Sequence, residues 1–132
     1  MQPKKIEKIN AHFSLVRGKM SPEQQQAAAL AAAFYLLDAP RRSSRALADA
    51  EAWWGLIYAR LAGVEVPADL WRESVVGGKF FADRAALWAE QALPEDVRAF
   101  CPRSRAECLQ LQSEFNLQYF FNAARRVFFA RE

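Results

Sequence analysis

The chain has 132 residues, a formal net charge of +3, a hydrophobic fraction of 52% and a charged fraction of 25%. This composition is typical of a globular protein rather than a disordered chain, and the length predicts one domain, residues 1–132, with a single core. No apolar run reaches the roughly 20 residues that cross a bilayer, and the N-terminus does not resemble a cleaved signal. We therefore expect a cytoplasmic protein. Its two cysteines, Cys101 and Cys108, fit a reducing compartment as free thiols, with a disulfide between them as the alternative.

The positive charge is concentrated near the N-terminus. Residues 1–20 contain five basic residues and one acidic residue, whereas the rest of the chain contains 13 basic and 14 acidic residues. The body of the chain is therefore nearly neutral, which argues against a nucleic-acid surface spread over the whole domain.

Helical signals begin at the N-terminus. Apolar residues at spacings of three and four predict a first helix from about Pro3 to Arg17. Ser21, followed by Pro22 and by Gln24 three residues after the cap, predicts a capping box and a second helix that is rich in alanine. Such alanines let neighbouring helices approach closely.

Four further helical segments precede the last one. Ser43 or Ser44 is expected to cap the third, whose core stripe includes Trp54 and Tyr58 and leaves Leu56 on the opposite face. No stretch alternates apolar and polar residues over the length of a strand, so the predicted fold class is all-α. The later segments are predicted at about residues 68–76, 80–93 and 95–100.

The last segment carries the strongest prediction about architecture. Ser104 and Glu107 have capping-box spacing, and neither Gly nor Pro occurs from Arg105 to the end. Apolar residues point nearly all round this helix, which is typical of a buried helix. We therefore expect a compact bundle of five to six helices around a long, mostly buried C-terminal helix, about 40 Å in length at about 1.5 Å per residue.

Catalytic and metal-binding motifs are not evident. The only histidine, His12, is predicted on the exposed basic side of the first helix. Glu65, Asp69 and Glu73 recur at spacings of four, but acidic groups near a helix start also complement the helix dipole, and Arg72 would neutralise them. The chain contains no glycine-rich phosphate loop, CxxC pair or nucleophile motif. We expect no catalytic, cofactor or metal site.

Nucleic-acid binding is the alternative function. Residues 59–64 and the following helix resemble a helix-turn-helix, but Asp69 occupies a position that should be apolar, and Glu73 adds negative charge. A better surface for nucleic acid or an acidic partner is the basic face of the first helix, although such a face is more often simply solvated. Its residues are Lys4, Lys5, Lys8, His12 and Lys19.

Association with another protein is the function that the sequence favours. The chain has four Trp, three Tyr and ten Phe, and aromatic residues and arginine are enriched at protein interfaces. Tyr119, Asn122 and Arg126 share one sector of the last helix, near Gln112, and would line a polar pocket or contact a partner. The full predicted set is Trp53, Leu56, Phe80, Phe81, Tyr119, Asn122, Arg126, Phe128 and Phe129.

We therefore expect a non-catalytic protein–protein interaction domain that acts as a small regulator, inhibitor or adaptor. The alternatives left open are a homodimer and a nucleic-acid-binding accessory protein, and no membrane partner is expected. Frequent alanine and arginine with few lysines after residue 20 indicate a bacterial or mobile-element (phage or plasmid) origin.

Overall fold

A computed structural model describes residues 2–130, which form eight α-helices and one 3₁₀ turn and contain no strand. The all-α prediction is confirmed. Within these residues no helix combines the length and the apolarity of a membrane span. The helices are α1 (Pro3–Arg17), α2 (Pro22–Asp38), α3 (Arg45–Leu61), α4 (Ala68–Val76), α5 (Phe81–Ala92), α6 (Glu95–Ala99), α7 (Arg105–Glu114) and α8 (Leu117–Phe129), with the 3₁₀ turn at Ala39–Arg41.

The alanine-rich helix α2 lies at the centre of the fold. Nine of its residues between Ala27 and Leu36 are buried, because α3, α5, α6, α7 and α8 all pack around it. Small side chains allow this crowding: a Cβ added at Gly55 of α3 would lie only 2.4 Å from Cγ of Leu36. The close approach that the alanines predicted is confirmed, and the central helix is α2 rather than the C-terminal one.

The prediction of one long C-terminal helix is wrong, because α7 ends at Glu114 and α8 starts at Leu117. Asn116 between them has φ of 54°, the left-handed conformation that often ends a helix. Gln24 of α2 donates a 3.0 Å hydrogen bond from Nε2 to the carbonyl oxygen of Phe115, which has left the helical ladder. The break lets α7 pack on α2 while α8 contacts α1 and α3.

Polar and aromatic contacts hold α1 against α8. Lys5 Nζ donates to the carbonyl oxygen of Ala130 at 2.7 Å, so its charge lies at the negative end of the α8 dipole. His12 Nε2 lies 2.7 Å from the carbonyl oxygen of Ala123. The ring of Phe13 also meets the ring of Phe128 edge-on. The C-terminal half of α8 is thereby fixed to the first helix.

Serine caps begin three of the helices. Ser21 and Gln24 form the predicted capping box, and Ser44 accepts from the backbone N–H of Leu47. Ser104 caps α7 through the N–H of Glu107, but the Glu107 carboxylate accepts from the N–H of Arg103 instead of that of Ser104. Only half of the second predicted capping box therefore forms.

Candidate functional site

Side chains from four helices line an aromatic cavity of about 280 Å³ that is partly open to solvent. Helix α2 contributes one wall, α3 a second with residues one turn apart, and α7 and α8 close the remaining sides. A larger surface groove of about 470 Å³ between α2, α6 and α7 has no buried polar side chain among its lining residues. The smaller cavity is lined by Tyr35, Trp54, Tyr58, Arg105, Leu109, Gln112, Gln118, Phe121 and Arg125.

The aromatic rings of the cavity hold one another in place. Tyr35 and Tyr58 are stacked, with centroids 6.0 Å apart and an interplanar angle of 8°. Trp54 meets Tyr35 edge-on at 5.6 Å, and Phe121 packs on Tyr58 at 5.1 Å. Mutual ring packing of this kind stabilises the side-chain positions, so the walls are formed before any ligand enters.

A buried hydrogen-bond network connects the polar groups of the cavity. The Tyr35 hydroxyl donates to Oε1 of Gln112 at 2.6 Å, and Gln112 Nε2 donates to the Tyr58 oxygen at 2.8 Å. The Cys108 thiol lies 3.6 Å from the same Gln112 oxygen. Burial raises the pKa of the Cys108 thiol to about 11 and raises the pKa of both tyrosine hydroxyls well above their usual range. All three groups keep their protons at neutral pH.

Two arginines lie at the rim of the cavity, and their charges are compensated differently. Arg105 forms an ion pair with the buried carboxylate of Glu51, which also lies 3.3 Å from Nε of Arg42. Arg42 in turn pairs with Asp38, so these four charges cancel. Among residues 2–130, Arg125 takes part in no ion pair. The rim therefore carries one uncompensated positive charge.

The outer face of α8 adjoins this cavity. Tyr119 and Phe129 are 62% and 71% exposed, and Asn122 and Arg126 lie between them at helical spacing. A second concavity of about 440 Å³ is lined by Asn122, Arg125, Arg126, Phe129 and Ala130. Arg125 lines both spaces, so the aromatic cavity and the outer face of α8 are continuous.

The structure divides the remaining predicted interaction residues into three groups. Leu56 and Phe81 are buried core residues, because α3 packs on several helices at once and the start of α5 turns inward. Trp53 and Phe128 belong to a half-buried aromatic cluster, with ring centroids 5.4 Å apart. Phe80 is exposed elsewhere, with the cations of Arg45 and Lys79 over its ring. Of the predicted residues in α8, Tyr119, Arg126 and Phe129 are exposed on one face and Asn122 is half-buried between them, while the edge of Phe129 also contacts the ring of Trp53.

Only three of the five residues predicted on the basic face at the N-terminus are exposed. Lys5 is buried and bonded to α8, and His12 is half-buried against the Ala123 carbonyl rather than exposed. Lys4, Lys8 and Lys19 remain exposed.

The acidic residues considered as metal ligands are paired instead. Arg84 of α5, and not Arg72, forms ion pairs with Asp69 and Glu73. No group of three His, Cys, Asp or Glu side chains within residues 2–130 is arranged to hold a metal ion. Cys101 and Cys108 are free thiols.

The sequence pattern predicted Trp54 and Tyr58 in the core and Gln112 near Tyr119, Asn122 and Arg126. Gln112 is instead buried and bonded to Tyr35 and Tyr58, and those three α8 residues do not line the cavity. The sequence did contain one signal for this cavity, namely Gln112, a polar residue on the face of α7 that otherwise directs apolar side chains into the core. No family model, no curated protein and no solved structure matches the chain.

Proposed function

We propose that the protein is a non-catalytic interaction domain, and that its partner is another protein that lays an acidic segment along the outer face of α8. The supporting observation is the exposure of Tyr119 and Phe129 on one helix face, together with Arg125 and Arg126. Exposed aromatic residues beside arginine are characteristic of the centres of protein interfaces.

The charge of α8 supports an acidic partner. From Leu117 to Phe129 the helix contains two arginines and no acidic residue. Complementary charge on the partner would guide its approach and oppose wrong partners. A twofold dimer through this face would bring four arginines, Arg125 and Arg126 of each copy, into one interface to which α8 contributes no acidic residue, and like charges disfavour that arrangement. We therefore favour a different protein over a second copy of this chain.

The position of His12 supports a non-catalytic role. Histidine is the side chain that most often transfers protons in enzymes, but Nε2 of His12 lies 2.7 Å from the backbone carbonyl oxygen of Ala123 in α8. His12 is therefore held between α1 and α8 and is half-buried. The proposed face thus binds through shape and charge.

A matched pair of double variants tests the proposal. Tyr119→Ser with Phe129→Ser removes the aromatic groups of the face, whereas Leu15→Ser with Leu87→Ser removes exposed apolar groups elsewhere. A partner captured with the wild-type protein is purified, and its affinity for each variant is measured by calorimetry at about 50 mM and about 200 mM salt. We expect at least a tenfold loss for the face variant, no change for the control, and weaker binding at higher salt.

Three results would count against the proposal. Equal affinity for the two double variants would place the interface elsewhere, and affinity independent of salt would exclude the acidic partner. A homodimer, detected by light scattering and dissociated by Phe129→Ser, would show that this face binds a second copy.

Nucleic-acid binding remains the alternative proposal, now with a smaller surface. It would use Lys4, Lys8 and Lys19, the exposed members of the predicted basic set. A mobility shift at low salt that these three substitutions to Ala abolish would support it.

A further inference from the structure

Two protons of the hydrogen-bond network in the aromatic cavity are not used by bonds within the network. Tyr35, Tyr58 and Cys108 each supply one proton and the Gln112 amide supplies two, whereas the bonds among them use three. The remaining protons belong to the Tyr58 hydroxyl and to Gln112 Nε2. In this orientation Oε1 of Gln112 accepts from both Tyr35 and Cys108, which leaves the free protons on Tyr58 and Gln112, whereas an amide turned by half a rotation would leave them on Tyr35 and Cys108.

These surplus donors are buried and line the cavity. Tyr58 is 1% exposed and Gln112 is 7% exposed, and both are among the lining residues. A buried donor proton without an acceptor destabilises the protein, so an acceptor placed in the cavity would stabilise the network. The cavity is therefore built for a ligand group that accepts several hydrogen bonds.

The positive charge at the rim of the cavity determines which sign of ligand charge is favoured. Four aromatic rings would also suit a cationic ligand, which aromatic cages commonly bind. Arg125 opposes a cation, however, and the Arg105 charge is already balanced by Glu51. The rim therefore favours an anion, and a carboxylate matches the flat, forked arrangement of a guanidinium.

The dimensions of the cavity limit the rest of the ligand. A volume of about 280 Å³ corresponds to about nine water molecules at about 30 Å³ each. The ring walls favour a planar apolar body by stacking and edge contacts. We propose that the cavity binds a small carboxylate with a planar apolar body, whose oxygens accept from Tyr58, Gln112 and Arg125.

A titration with matched small molecules tests this site. Benzoate is the probe, benzamide removes its charge, benzylamine reverses the charge, and acetate removes the planar body. Binding is followed by shifts of amide and indole N–H signals in two-dimensional NMR of labelled protein. We expect saturable binding of benzoate with signals of α7 and α8 affected, and at least tenfold weaker binding of the other three.

Substitutions locate the binding within the protein. Arg125→Gln and Tyr58→Phe should each weaken benzoate binding at least fivefold, whereas Arg126→Gln, which lies beside the cavity without lining it, should leave the affinity unchanged. Arg125 is exposed, so its variant is expected to fold even if Tyr58→Phe lowers stability.

Several outcomes would overturn the inference. They are absence of saturable benzoate binding, equal binding of benzamide or benzylamine, and loss of affinity in Arg126→Gln to the same extent as in Arg125→Gln. Equal binding of acetate would reject the planar body and indicate an acidic side chain as the occupant. The inference does not depend on the proposed partner, because benzoate is tested without one.

Discussion

Gly55 lies where α3 packs tightly against Leu36 of α2. A Cβ at this position would lie 2.4 Å from Cγ and 2.9 Å from Cδ2 of Leu36, both in a side chain that is fully buried. Leu36 cannot move aside without displacing other core atoms, because protein interiors are close-packed. The α2–α3 contact thus requires the absence of a side chain at position 55.

We expect Gly55→Ala to destabilise the protein by about 1–3 kcal/mol, the usual cost of overpacking a core, despite the better helix propensity of alanine. Urea unfolding followed by circular dichroism measures the change. Gly18→Ala is the matched control, since Gly18 has φ of −61° and the nearest atom to an added Cβ is 3.4 Å away. Its free energy of unfolding should change by less than about 0.5 kcal/mol. Equal effects of the two substitutions would mean that α2 and α3 are further apart than described.

At the scale of single elements, the junction of α7 and α8 is decisive for the architecture. A continuous helix with Cys108 and Gln112 facing inward would also turn Tyr119 toward the core. Instead Leu117 is buried and Tyr119 is exposed, so the inward face changes its register at Asn116. The exposed face of α8 exists because of this break.

We expect Asn116→Ala to cost about 1 kcal/mol, because an ordinary side chain is strained in the left-handed conformation that Asn tolerates. Asn116→Gly should be nearly neutral, since Gly adopts that conformation without strain. Both values come from urea unfolding. If the alanine variant were as stable as wild type, the left-handed residue would not be what maintains the break.

The sequence predicted helices well and their assembly poorly. The bounds of α1 and α4 were correct, because proline and glycine mark their ends. Ser21 was correctly predicted as a cap, and of the two serines proposed to cap α3 the structure uses Ser44. The break at Asn116 carries no such marker. An all-round apolar pattern also fits two shorter helices whose inward faces differ, which is what the structure contains.

The aromatic cavity was beyond prediction for a similar reason. Gln112 bonds to Tyr35, which lies 77 positions away, and to Tyr58, which lies 54 positions away. Periodicity reports the face of one helix but not which faces of different helices meet. Leu56 was predicted outside the core stripe of α3 but is fully buried, since a helix packed on several sides buries more than one stripe.

At the scale of the whole molecule, the buried network makes the folded protein less stable at high pH. Burial raises the pKa of the Cys108 thiol from 9.0 to about 11, and raises the pKa of Tyr35 and Tyr58 above their ordinary value of 10.0. The unfolded chain therefore releases these protons at lower pH than the folded protein. Their contribution to stability is fully present below about pH 9 and is lost as the pH rises through the folded values.

We expect the free energy of unfolding to be nearly constant from about pH 7 to about pH 8.5 and to decline above about pH 9, by up to about 1.4 kcal/mol per pH unit for each group that titrates. Urea unfolding at fixed ionic strength gives this profile. Cys108→Ala removes the first group to titrate, so its decline between about pH 9 and about pH 10 should be shallower than that of the wild type, whatever its stability at neutral pH. Cys101→Ala is the control, because Cys101 is only half-buried and lies outside the network; its profile should follow the wild type more closely. Parallel profiles for wild type and Cys108→Ala would show that the thiol titrates alike in the folded and unfolded states, and would remove Cys108 from the set of groups that hold their protons in the cavity.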